Sequence, residues 1–207
     1  RFECSPKKVE DFQQNCQLPS GTPPAAKRNA ARCQLRVIEA LDGQLITNAL
    51  TLPADADDVL KLTVVNRYAD ALPAVAFIRG FGLKRGAIAS SVAHDSHNVI
   101  AVGADDESLC EAVNLVIRGR GGVAVVHGDR REILPLPIAG LMSDGYGYDV
   151  ARRYAELDAM AKALGSPLAA PFMTLSFMAL LVIPHLKLSD RGLFDGDAFR
   201  FTDVLTA

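Results

Sequence analysis

The chain has 207 residues, 49% of them hydrophobic and 22% charged, with 22 basic against 24 acidic side chains and a formal net charge of -2. That length and apolar content suit one large domain, with or without an appendage, and exclude a chain disordered throughout. The near balance of charge leaves no global electrostatic footprint for nucleic acid or anionic lipid, so neither a nucleic acid nor a membrane is expected as a partner.

Residues 1–31 are rich in Lys, Gln, Pro and Ala, contain Pro23-Pro24, and follow neither a strand nor a helix period. Residues 1–32 are therefore expected to be a linker or arm from a preceding domain, and 33–207 the folded domain. Arg1 stands where an intact gene product would start with methionine, so a piece of something longer is expected. From Cys33 onward the pattern turns apolar and β-branched. Strands are expected over Leu35 to about Ala40, Leu45 to Leu50, Val59 to Val65 and Val75 to Ile78, with Asp42-Gly43 as a tight hairpin turn. Asp55 to Asp58 reads as an exposed acidic loop.

Further strands are expected over Ala87 to Val92 and Val99 to Val102. Asp105-Asp106 then caps a helix in which Leu109, Ala112, Val113 and Val116 fall at i, i+3, i+4 and i+7. Gly119 to Gly122 stops that helix and Val123 to Val126 returns as a strand, an order that implies a parallel crossover. Leu134 to Ser143 alternates proline with apolar residues and reads as an edge or connecting segment. Val150, Tyr154, Leu157, Ala161 and Leu164 define a second amphipathic helix, closed by Gly165. Pro171 to Pro184 is uncharged yet shorter than the roughly 20 residues that cross a bilayer, so Phe172 to Ile183 is expected to be buried on all sides, in the core or at a domain or subunit contact. Met173, Phe177 and Met178 are then core filler or a domain contact. The fold class expected is α+β, a mixed β-sheet sandwich layered with a few helices.

The four cysteines, Cys4, Cys16, Cys33 and Cys110, have no C-x-x-C spacing, so zinc-ribbon and disulfide-framework readings fail, and free thiols in a cytoplasmic protein are expected. Gly80-Phe81-Gly82 with Lys84, Arg85 and Gly86 has the composition of a phosphate loop but the spacing of none, so a structural turn is preferred. Arg118 to Gly122 reads the same way, since a helix C-terminus favours cations and a left-handed residue. His127 and His185 read as loop residues.

The densest group of functional side chains is Ser90-Ser91-Val92-Ala93-His94-Asp95-Ser96-His97-Asn98, where two of the four histidines stand three residues apart around a carboxylate. In a turn these histidines share a side, where they could ligate a metal, hydrogen-bond a heterocycle or shuttle protons, with Asp95 fixing a tautomer. The plainer reading is a polar turn whose Asp and Asn cap backbone groups. From the residues alone both stand.

Three segments in order, GFGLKRGAIASSVAHDSHNVIAVG (80–103), LPLPIAGLMSD (134–144) and PFMTLSFMALLVIPHLKLSDRGL (171–193), closely resemble the C-terminal domain of bacterial and archaeal adenine deaminases of the amidohydrolase superfamily. The likeness covers about residues 34–200. It implies a parent enzyme that hydrolyses adenine to hypoxanthine and ammonia with a binuclear manganese or iron centre, whose ligands sit in a preceding (β/α)8 barrel. That barrel cannot fit in this chain, so no metal ligand and no cofactor is carried over to it, and the segment alone is expected to be inactive. The resemblance carries over His94, Asp95 and His97 as auxiliary catalytic residues, and Ser90, Ser91 and Asn98 as substrate-binding ones. The expected partners are the barrel, adenine and further subunits of a homo-oligomer. The competing expectation is a stand-alone non-catalytic interaction or oligomerisation module.

Overall fold

The computed structural model describes residues 2–13 and 34–206, so Cys16, Cys33 and Pro23-Pro24 lie outside the described residues. The β-branched runs form β1 (Gln34–Ala40), β2 (Thr47–Pro53), β3 (Leu60–Val65), β4 (Ala74–Arg79), β5 (Ala87–Ser90), β6 (Val99–Gly103), β7 (Gly122–His127) and β8 (Arg130–Pro135). The helices are α1 (Asp106–Arg118), α2 (Gly147–Ala163) and α3 (Pro171–Phe177). The C-terminal strands β9 (Leu186–Ser189), β10 (Gly192–Asp195), β11 (Arg200–Phe201) and β12 (Leu205–Thr206) follow. Among the described residues, one sheet runs β12-β1-β4-β3-β6-β5-β7-β8 with β2 on β1, and a small second sheet runs β11-β10-β9. β1 and β4 are parallel and the other pairs of the large sheet are antiparallel, so the expected mixed-sheet α+β class is what the chain adopts.

Both faces of the large sheet are covered, which is why its central strands read as unbroken apolar runs. Ile88, Ile100, Val102, Val123 and Val125 face α2, α3 and the small sheet. Ala87, Ala89, Ala101 and Ala124 face α1 and form a shallow floor that lets a helix approach closely. β6 and β7 each pair antiparallel with β5 between them, so they run parallel to one another and α1 makes the expected crossover with β5 interposed. The Asp105 side chain accepts a hydrogen bond from the Ser108 amide, completing the expected cap. At the other end Arg120 is left-handed and the following Gly121 also has a positive φ. The Gly121 amide donates to Val116 O and the Arg120 amide to Ile117 O, which ties off the last turn.

Three expectations need correction. Asp42-Gly43 does form a tight turn, closed by the Gln44 amide on Leu41 O at 3.1 Å, but Ala40 pairs with Thr47, so the turn sits inside a six-residue loop 41–46 instead of joining β1 and β2 directly. Long-range bonds hold that loop: the Ala169 amide donates to Asp42 Oδ1 at 2.9 Å and Lys187 Nζ to Leu45 O at 2.7 Å. Lys187 is fully buried, and burial pushes its pKa down from 10.5 to about 8. Asp58, expected in an exposed loop, turns inward, where its carboxylate accepts the Gly80 and Gly82 amides at 3.0 and 2.9 Å. Those amides are the ones a phosphate would need. The segment Phe172 to Ile183 is not wholly core within this chain: Phe172 and Leu175 are buried, but Met173 is 54% and Val182 67% exposed, which leaves only a domain or subunit contact to cover that side. A helix lying on a sheet buries one stripe, whatever its composition, unless something covers the other.

Residues 2–5 run along the β3–β4 connection and residues 7–13 lie against one side of α1. Phe12 is fully buried there, and the Lys7 amide donates to Asn114 Oδ1 at 2.7 Å while Asn114 Nδ2 returns a bond to Lys7 O at 2.8 Å. Lys7 Nζ meets Asp70 at 2.6 Å. Together with two bonds from Ser5, this holds the Asp70 carboxyl down at about 2 from 3.8.

Candidate functional site

The loop between β5 and β6 divides into a buried frame and a half-exposed tip. Ser90, Ser91 and Asn98 are each at most 2% exposed, whereas His94 and His97 are half-buried and Asp95 is exposed. The frame is tied by its own hydrogen bonds. Ser91 Oγ donates to Gly140 O at 2.6 Å and accepts from the Gly122 amide at 2.9 Å, and Ser90 Oγ accepts from the Val92 amide at 2.9 Å. Asn98 Oδ1 accepts from the Arg67 amide at 3.2 Å. Polar groups this deep cost free energy unless paired, and these pairs keep the ends of the loop in place.

The tip is held from α3 as well. The His94 amide donates to Ser176 O at 2.9 Å, and the His94 ring lies 4.8 Å from the Phe177 ring, tilted by 30°. His94 and His97 meet edge to face with centroids 5.7 Å apart, so the sequence-predicted pair is brought together. His97 has left-handed backbone, its amide donates to Ala93 O at 2.6 Å, and its Nδ1 is buried without a hydrogen-bond partner. Burial, then the positive potential of His94 and Arg67, lowers the His97 pKa below the ordinary imidazole value against the opposing pull of Asp95. The ring is therefore neutral near pH 7 and able to accept a proton.

Arg67 is the member that no motif announced. It lies in the connection between β3 and β4, 4% exposed, with Tyr68 beside it. The Tyr68 hydroxyl donates to Ser96 O at 2.8 Å, which joins this connection to the tip of the loop. A lone arginine two residues past a strand carries no periodic or spacing signal, so only long-range geometry reveals it. A cavity of about 330 Å³ runs along Phe2, Glu3, Arg120, Pro137, Ala139 and Gly140, and none of residues 90–98 lines it. Among the described residues no three His, Cys, Asp or Glu side chains converge into a set that could hold a metal ion, and His94, Asp95 and His97 do not make one. No described helix is long and apolar enough to cross a membrane.

The chain as a whole is similar to known proteins. The family model of the adenine deaminase C-terminal domain matches residues 39–200, a span that holds all three sequence segments, the loop 90–98 and Arg67. An adenine deaminase of Sulfurovum sp. is 60% identical over 177 residues, covering 83% of this chain and 33% of that protein. Those of Salinibacter ruber and Methanosarcina barkeri are 54% and 50% identical, over 98% and 87% of this chain but 37% and 35% of their own lengths. The chain thus spans about a third of the curated relatives it matches. With the motifs, the matched span and the α+β architecture in agreement, the chain belongs to the adenine deaminase C-terminal domain family.

Proposed function

We propose that this chain is part of a metal-dependent adenine deaminase and that it presents His94, Asp95 and His97 to an active site carried by a preceding (β/α)8 barrel, with residues 1–32 as the connecting arm. The observation that supports this reading most is the contrast within one loop: two half-buried imidazoles and an exposed carboxylate stand on a buried frame of Ser90, Ser91 and Asn98 whose own polar groups are hydrogen-bonded. A turn needed only for folding could be built from Asn and Gly without titrating groups. Among the described residues no set of side chains fits a metal, so the binuclear manganese or iron centre belongs, in this proposal, to the remainder of the enzyme.

Deamination by water requires a proton to leave the attacking water and another to reach the departing amine. A neutral His97 next to an exposed Asp95 suits it to accept and pass such protons, and His94, stacked on Phe177, offers an aromatic edge that encloses a planar base. Ser90, Ser91 and Asn98 then serve substrate binding by keeping the loop in register. The parent is proposed to be a cytoplasmic homo-oligomer that acts in purine salvage.

The test is kinetic. In the whole enzyme, His94→Ala and His97→Ala lower turnover of adenine roughly 10- to 1000-fold, the span of a positioned acid-base or orienting group, while metal content and melting temperature stay near wild type. Full activity in both variants, or loss only in proportion to unfolded protein, contradicts the proposal.

A further inference from the structure

Both ends of the His94/His97 loop rest on two consecutive carbonyls of one turn. Gly140 O accepts from Ser91 Oγ at 2.6 Å, at the start of the loop. Ala139 O accepts from Arg67 Nη1 at 2.8 Å, and Arg67 Nη2 donates to the Tyr68 hydroxyl at 3.0 Å, which donates to Ser96 O near the loop's end. Ala139 and Gly140 are both left-handed, which turns their carbonyls to these two donors, and the Ile138–Met142 bridge closes the turn. A Cβ at position 140 would collide with Arg67 Nη1 and come within 2.9 Å of the Phe2 ring, so the turn has room for Arg67 only because residue 140 is glycine.

The guanidinium lies over the Phe2 ring at 5.0 Å and over the Tyr68 ring at 4.9 Å. Among the described residues no carboxylate pairs with it, and its Nε has no partner. A buried cation without an acid is a costly filler, since an apolar side chain of similar volume would pack the same space without desolvating a charge. The two aromatic faces offset part of that cost.

We infer that Arg67 is a positioning residue, which fixes the tip of the loop, and with it the His97 imidazole, by holding Tyr68 on Ser96 and bracing the 139–140 turn. This rests on the functional reading of His97 given above. The bond from the Arg67 amide to Asn98 involves only backbone at position 67 and survives any substitution there, so the side chain's contribution is separable. The charged groups acting on His97 are His94 and Asp95 on its own loop and Arg67 from the β3–β4 connection, while the uncharged Ser176 and Phe177 of α3 pack against its neighbour His94. Arg67 thus both orients the ring and favours its neutral form.

Two measurements test this. In the chain itself, whose four histidines are resolvable by NMR, Arg67→Met moves the His97 titration to higher pH and leaves His127 and His185 where they were. Arg67→Lys keeps the charge and leaves the His97 titration low. In the whole enzyme, Arg67→Met and Arg67→Lys each lower kcat about 10-fold or more with a smaller change in KM, because a displaced acid-base group loses turnover more than ground-state binding. Tyr68→Phe, which keeps the ring and cuts the link to Ser96, lowers kcat less and leaves the titration unchanged. Wild-type titration and wild-type kcat in a folded Arg67→Met overturn the inference. Should His97→Ala keep full activity while Arg67→Met still shifts the His97 titration, the positioning stands and the catalytic reading of His97 falls. With an impaired His97→Ala beside an unaltered Arg67→Met, the catalytic reading stands and the positioning falls.

Discussion

Helices α1 and α3 pack on opposite faces of the same sheet and differ in how completely this chain finishes them. α1 has a capped start at Asp105, acidic residues in its first turn, Arg118 in its last, and a tied-off C-terminus. Its inner stripe sits on the alanine floor and the flank bearing Cys110 and Asn114 is covered by residues 7–13, with Asp106 paired to Lys61 at 2.6 Å. α3 begins with Pro171 behind an Ala170 that supplies no side-chain cap, buries Phe172 and Leu175, and leaves Met173 bare. Phe177, at the end of α3, lies against the His94 ring at 4.8 Å. Under the function proposed above, the bare side of α3 and the histidine loop are where the rest of the enzyme would lie.

Substitutions can break that comparison, beginning with the largest effects. Leu109→Ala under α1 and Leu175→Ala under α3 remove fully buried side chains, and each costs about 2–5 kcal/mol in denaturant unfolding of the chain. Met173→Ala on the bare side of α3 costs less than about 0.5 kcal/mol in the chain alone. A loss for Met173→Ala as large as that for Leu175→Ala would show that the chain already covers this surface. Asp105→Ala removes the α1 cap and costs about 1 kcal/mol, read as a lower denaturation midpoint at unchanged slope.

The smallest effect is one of pH. Asp70 has its folded pKa depressed to about 2 from 3.8, so its contribution is present above the unfolded value and is lost as pH falls from about 4 to about 2. Over that window the cover on α1 loosens, read as faster exchange of the Lys7 amide, and Asp70→Asn gives the fast rate already at pH 7. The amide protons of α3 do not follow this change, because Asp70 does not touch that helix.

The same contrast separates the features that are legible in the amino-acid sequence from those that only the fold brings out. The β6–α1–β7 unit is legible because apolar residues at helical spacing, an aspartate cap and β-branched flanks all agree, each acting within a few residues. The arm is not, since Lys7 and Phe12 follow no period and are held through distant residues, Asn114 and Asp70 for Lys7 and the α1 face and Lys61 for Phe12. The strands β9 to β12 run two to four residues each, too short for alternation to show. An unbroken apolar run gives α3 no distinguishable inner and outer side. At the site, the histidine spacing is visible, but which members of 90–98 turn inward depends on Gly122, Gly140 and Arg67, and only the fold brings these together.

The most direct measurement compares amide hydrogen exchange in the chain alone with that in the whole enzyme. If the histidine loop and the bare side of α3 face the rest of the enzyme, amides of residues 92–98 and 171–183 exchange markedly more slowly in the whole protein, while those of α1 are unchanged. Equal exchange in the two proteins over both segments would contradict this placement and leave His94, Asp95 and His97 as a solvent-facing turn.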